Sequence, residues 1–128
     1  MRGFLGPAAL RPRKKNRGRP EWKVADAFRQ WLRGRPCACQ GGNPHCGGLI
    51  RSAHVDYAGD KGIGTKVADS NCIPLSDNCH RLQHDKGWRW FDERILGGPG
   101  RGLMMAQEYW RAWPGRAAWE KQLESRNG

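Results

Sequence analysis

A small α+β fold is predicted for this chain of 128 residues on three observations. Two short apolar runs, LIRSAHV at 49–55 and NCIPL at 71–75, read as strands joined by a Gly- and Asp-rich connection at 56–70. A helix signal follows the second run directly: Ser76 or Asp77 can cap it, it runs to about Lys86, and Gly87 stops it. Helical periodicity recurs at both ends of the chain, so the expected architecture is a ββα unit flanked by an N-terminal helix and C-terminal helices. A chain of this length is expected to form one domain.

Residues 1–20 carry Arg2, Arg11, Arg13, Lys14, Lys15, Arg17 and Arg19, no acid, and three prolines. They are expected to form a disordered basic arm outside the domain, which spans 21–128. In 21–33, EWKVADAFRQWLR, the residues Trp22, Ala25, Phe28, Trp31 and Leu32 fall on one apolar stripe, with Pro20 before the first turn and Gly34 at the stop. Residues 35–48, RPCACQGGNPHCGG, are turn-rich and hold Cys37, Cys39 and Cys46. In the second strand Pro74 lacks a donor, which confines it to a sheet edge or to the strand end. An aromatic patch (Trp88, Trp90, Phe91) leads to a GGPGRG break at 97–102. Helices near 103–113 and 116–124, separated by Pro114 and Gly115, complete a C-terminal extension over 92–128. There Trp110, Trp113 and Trp119 fit core positions better than base-stacking ones.

Apolar residues make up 38% of the chain, with 18 Gly and 8 Pro, a thin core that a bound metal would staple. Lys and Arg number 23 against 12 Asp and Glu, for a net charge of +11. That excess suits a phosphate-rich partner, and nucleic acid is the expected one. GFLGPAAL is broken by Gly6 and Pro7 and gives no convincing secretory signal, and no apolar stretch is long enough to span a membrane. A cytoplasmic protein with no membrane partner is expected. Cysteines in that setting are more often metal ligands than disulfides, and five is an odd number.

Five polar positions stand out, together with four cysteines. His80 and His84 are four apart on the expected helix, so both imidazoles share a face and can hold one divalent ion. His54 closes the first strand and can serve as a general base, because its unperturbed pKa lies near neutrality, or it can be a satisfied half-buried histidine. Asn71 can orient that imidazole or simply start a turn. Asp69 can complete a metal shell or cap a loop. Cys37, Cys39, Cys46 and Cys79 can supply the four ligands of a structural zinc; the C-x-C spacing is tight, and Cys72 or His45 are possible substitutes. GDKGIGTK at 59–66 touches the P-loop pattern, but Thr65 precedes Lys66 instead of following it, and no helix signal follows. Lys61, Lys66 and Arg81 are the candidate nucleic-acid contacts.

The strand histidine, the asparagine nine before a helix histidine, and the C-H-x-x-x-H ending together resemble the HNH endonucleases of the ββα-metal superfamily. The wider stretch AHVDYAGDKGIGTKVAD through IPLSDNCHRLQH and GW is similar to small phage and prophage HNH proteins, including recombination-enhancement nucleases. The resemblance covers roughly residues 35–91. It implies a metal-dependent endonuclease or nickase acting on double-stranded DNA. His54 would be the base, His80 and His84 would hold Mg²⁺ or a similar ion, and Asn71 would be the middle letter of the motif. The implied products are a 5′-phosphate and a 3′-hydroxyl. Many members carry a metal ligand just before the base, where this chain has Ala53. The third protein ligand then falls to Asp56, Asp60 or Asp69, unless His54 is itself a ligand. Relatives often place a zinc-binding cysteine where this chain has Ser76. The alternative expectation is a non-catalytic, zinc-stabilised DNA-binding protein on the same scaffold.

Overall fold

The computed structural model describes residues 20–58 and 67–127. The basic arm, the P-loop-like segment, Lys61, Lys66 and Asp60 lie outside the described residues. Among the described residues, five α-helices and one two-stranded sheet make up an α+β fold, as the sequence predicts.

The N-terminal helix is shorter than its apolar stripe. Glu21–Lys23 form a 3₁₀ turn, Val24 is extended, and α1 spans Asp26–Arg33. The reason is a competing hydrogen bond: the Ala25 N–H donates to the Asp69 carboxylate at 2.8 Å instead of closing a helical turn on Glu21. Ala25, Phe28 and Leu32 are buried, whereas Trp22 leaves the stripe and is exposed. Gly34 ends the helix, its N–H bonded back to Trp31.

Strand β1 (Ile50–His54) pairs antiparallel with β2 (Cys72–Ser76), so that Ser52 faces Pro74 and His54 faces Cys72. With two strands, both are edges, and Pro74 is tolerated because only one side of β2 forms the ladder. On the other side the Pro74 carbonyl accepts from the Ala38 N–H at 2.8 Å, which fixes the cysteine-bearing loop against the sheet. All five residues of β2 are buried.

Helix α2 (Asp77–Lys86) starts without a gap after β2. Ser76 is its N-cap, the hydroxyl accepting from the Cys79 N–H at 3.2 Å. Asp77 reaches across to the start of β1, accepting from the Leu49 N–H at 3.1 Å and the Arg51 guanidinium at 2.7 Å. The Arg51 contact, helped by that N–H, holds the Asp77 carboxyl below its ordinary value. Gly48 is required here: it has φ +99°, and a Cβ would stand 2.7 Å from Asp77 Cβ.

Gly87, at φ +90°, breaks the helix and turns the chain into α3 (Trp88–Phe91), which winds into a π-turn over Asp92–Leu96. The sequence shows this stretch only as an aromatic patch; Trp88 and Phe91 are in fact the buried side of a helix. Helices α4 (Arg101–Ala112) and α5 (Arg116–Asn127) follow, each beginning or ending within a few residues of its expected bounds.

Two apolar clusters result. The first packs Val55, Ile73, Leu75, Phe91, Met105 and Ala106 between the sheet and helices α3 and α4. The second packs Phe28 and Leu32 of α1 on Cys72 and Trp113, with Trp31, Trp110 and Trp119 around them. Phe28 meets Trp110 edge to face at 5.0 Å, and the Trp119 indole N–H donates to the Val24 carbonyl at 3.1 Å. The C-terminal tryptophans are therefore a clamp on α1. Replacing Phe28 with Ala should empty the centre of this clamp and lower unfolding stability by about 3–5 kcal/mol, read from the denaturant midpoint by tryptophan fluorescence. A change under about 1 kcal/mol would mean that the second cluster is not a core.

Candidate functional site

Two groups of chemistry-bearing side chains flank the β2–α2 junction. The first is a cysteine centre. The ligand atoms of Cys37, Cys39, Cys46 and Cys79 all lie within 4.8 Å of one another. Four sulfurs about 2.3 Å from one tetrahedral zinc ion stand about 3.8 Å apart, so the cluster needs only a small contraction to close on a metal. These cysteines can therefore bind a metal ion such as zinc. Cys72 lies instead in the aromatic cluster beneath α1. Among the described residues, His45 is not part of the converging group.

The surroundings of the sulfurs suit that role. The Ser76 N–H donates to Cys37 Sγ at 3.3 Å, and the Asn43 amide donates to Cys79 Sγ at 3.3 Å. The Ser76 hydroxyl accepts from the Gly47 N–H and stands 3.2 Å from Cys46 Sγ. Burial pushes the Cys79 thiol up to about 12 and also raises Cys37. At Cys39 burial acts the same way, but backbone bonds from Asn43 and Gly41 outweigh it and lower the thiol. The raised thiols of Cys37 and Cys79 become thiolates when a cation compensates them, which a bound metal would do. The tight loop is formed by Gln40 at φ +51° and Gly41 at φ +87°. Gly42 lies so close to the Ile95 carbonyl that a Cβ would collide with it at 2.4 Å.

The second group contains the histidines. His80 and His84 share one face of α2 with their Nε2 atoms 3.2 Å apart and ring centroids 4.7 Å apart. Two nitrogens bound about 2.1 Å from one ion at right angles are about 3 Å apart, so this pair is spaced for a shared ion. Burial lowers the His80 pKa first, and the neighbouring His84, Arg51 and His54 act in the same direction against Asp77. The ring is thus held neutral, the form that binds metal.

His54 ends β1, and its Nε2 stands 2.8 Å from Asp69 Oδ1. Asp69 is fully buried in the 3₁₀ turn Asp69–Asn71, and its second oxygen takes the Ala25 N–H. A carboxylate only accepts, so this network assigns the His54 proton to Nε2 and leaves the lone pair on Nδ1. A His–carboxylate pair of this kind fixes the orientation and the tautomer of the ring.

Asn71 serves differently from the expectation that it orients the imidazole. Its carbonyl accepts from the Val55 N–H at 2.8 Å, which extends the pairing past His54. Among the described residues its side chain makes no hydrogen bond to His54; the contact to the imidazole comes from Asp69. Asp69 in turn is committed to His54 and Ala25, and Asp56 lines a separate cavity with Tyr57 and Trp88. Among the described residues the cysteines are the one group of three or more metal-binding side chains that converge, so no third ligand joins His80 and His84 there. Arg81 is exposed near Asp77. Lys61 and Lys66 lie outside the described residues. Asn43, which bonds Cys79, and Tyr57, whose hydroxyl ties the loop after β1 to Asp92, carry no sequence signal, since both act across long separations.

Chelator-treated protein, reloaded with Co²⁺, should show thiolate-to-cobalt charge-transfer absorption that Cys37→Ser or Cys79→Ser abolishes. Removing the metal should lower the melting temperature by at least about 10 °C. No thiolate absorption, with an unchanged melting curve after chelation, would remove the cysteine centre as a metal site.

A scan against protein-family models, a search of curated proteins and a search of solved structures each found no match to this chain.

Proposed function

We propose that the chain is an HNH-type, metal-dependent DNA endonuclease or nickase with a structural zinc at the cysteine centre. The observation that carries this reading is the pairing of His54 with buried Asp69 at 2.8 Å on a strand, next to a helix that presents His80 and His84 with 3.2 Å between ring nitrogens. A base held by a carboxylate and a two-imidazole ion site on one ββα frame is the equipment for phosphodiester hydrolysis. The net charge of +11 supplies the attraction for a polyanion.

In this reading Asp69 keeps the His54 proton on Nε2, and Nδ1 accepts a proton from the attacking water. Protonated His54 is then stabilised by the same carboxylate. His80 and His84 would hold the divalent ion, which when bound stabilises charge on the phosphate and the leaving oxygen. The donor set refines the choice of ion. Two neutral imidazoles favour Mn²⁺, Co²⁺, Ni²⁺ or Zn²⁺ over Mg²⁺, which prefers oxygen ligands.

Wild-type protein should nick supercoiled plasmid. His54→Ala should reduce the rate by about 10²–10⁴-fold, and Asp69→Asn by about 10–100-fold. Equal rates in wild-type and His54→Ala protein would refute the assignment of the base. In parallel, Mn²⁺ or Co²⁺ should support nicking better than Mg²⁺ at equal concentration, and His84→Ala should abolish that preference. A strict Mg²⁺ requirement untouched by His84→Ala would place the ion elsewhere.

A second reading has its own observation. Ala53 is fully buried in the core and cannot ligate, and no third ligand converges on the histidine pair among the described residues. A zinc-stabilised, non-catalytic DNA-binding protein would show salt-dependent DNA binding with no nicking under any of these metals.

A further inference from the structure

A cavity of about 500 Å³ opens beside the loop that leaves His54. Its walls include the rings of Tyr57 and Trp88, set edge to face with centroids 6.1 Å apart, together with Pro99 and Gly100. The polar groups that line it include the Asp56 and Glu93 carboxylates and the Arg89 guanidinium. None of these side chains has a part in the cysteine centre or the histidine site.

The wall is preformed. The Tyr57 hydroxyl donates to Asp92 Oδ2 at 2.6 Å and accepts from the Leu103 N–H at 3.1 Å, while Asp92 Oδ1 takes the Gly102 N–H at 2.9 Å. Burial and the Asp92 carboxylate hold the phenol well above its ordinary value, so it stays a donor and the ring stays in place. Tyr57 as a residue is nevertheless 40% exposed.

This lining specifies its occupant. A flat, largely apolar ligand suits walls made of rings, a proline and a glycine. Asp56 and Glu93 can only accept, so the occupant must bring N–H donors, and a phosphate would be repelled. Arg89 stands at the rim of the cavity, largely exposed and 3.9 Å from the Glu93 carboxylate, where it can also meet a phosphate of the bound strand.

We infer that the cavity takes an unstacked nucleobase of a bound strand, guanine in preference, with its ring against Tyr57 and its Watson–Crick edge toward Asp56 or Glu93. The inference rests on the nucleic-acid reading above and extends it to base preference. Guanine offers two adjacent donors, N1–H and the 2-amino group, that match the two oxygens of a carboxylate. Cytosine and adenine offer one amino donor beside a ring acceptor. Thymine places its single N–H between two carbonyls, which face a carboxylate unfavourably. Aromatic stacking adds affinity for any base, and the carboxylates supply the selection.

The full chain, titrated separately with deoxyguanosine, thymidine and agmatine, tests this by NMR. Nucleosides lack phosphate and so avoid the general attraction of the basic surface. Deoxyguanosine should shift the Trp88 indole N–H and the Gly102 and Leu103 amides, and bind about tenfold more tightly than thymidine. Glu93→Gln together with Asp56→Asn, both at exposed positions, should erase that preference while leaving the amide spectrum folded. Equal binding of the two nucleosides, shifts confined to other residues, or stronger binding of agmatine would overturn the inference, the last by showing a site for cationic side chains. Plasmid nicking by the same preparation separates the two readings. Nicking without a guanine preference leaves the nuclease standing alone, and a guanine preference without nicking leaves the base site standing alone.

Discussion

The carboxylate of Asp69 is the interaction on which the arrangement turns. It is fully buried, and a buried charge without partners is costly enough to unfold a small domain. Two of its partners come from opposite directions: the Ala25 N–H at the head of α1 and the His54 ring at the end of β1. One oxygen therefore sets where the N-terminal helix begins, and the other sets the direction of the candidate base. Exchange of the carboxylate for an amide would leave the shape nearly unchanged but would remove the uniform acceptor character that fixes the imidazole tautomer. The fold and the site share this one group, so the chain cannot optimise one without the other.

The β2–α2 junction is a second constraint. Ser76 ends the strand, caps the helix, accepts from Gly47 and donates its N–H to Cys37. A cysteine at this position could add a sulfur but could not cap the helix as well as a hydroxyl oxygen does. Four sulfurs are available without one at position 76, since Cys37, Cys39 and Cys46 all reach Cys79. The close approach of Gly42 to Ile95 and of Gly48 to Asp77 shows what this loop requires: backbone positions at which no side chain fits.

Legibility in the sequence followed the range of the interaction. The strands, the Ser76 cap, the Gly87 stop and the C-terminal helices depend on neighbours within a few residues, and their patterns are visible there. The start of α1 was not, because a carboxylate 44 residues away takes the Ala25 N–H. The Trp88–Phe91 helix is hidden because four residues are too short for a periodic signal, and a glycine directly precedes them. In the candidate site the His80 and His84 spacing is local and was readable. Whether Asp69 or Asn71 meets His54 is decided by a 3₁₀ turn that presents the first residue to the ring and the last to the backbone of Val55. Convergence of all four cysteines depends on a left-handed turn at Gln40 and Gly41, to which the doubled glycine is the sole sequence clue.

The two candidate centres are mechanically coupled through α2. Cys79 is buried in the first turn and faces the sulfur cluster, and His80 is the next residue along the same backbone. Successive residues on a helix point about 100° apart, so fixing Cys79 fixes the direction in which His80 leaves the helix, and with it His84 one turn later. Asp77 adds a second restraint by binding Leu49 and Arg51 at the start of β1, the strand that ends in His54. A cation at the cysteines would thus act on the histidines through rigid secondary structure and not through charge alone. The thin apolar core of the chain makes that restraint necessary. Among the described residues the sheet has two strands, and a pair of this size holds its register through what is packed and tethered against it.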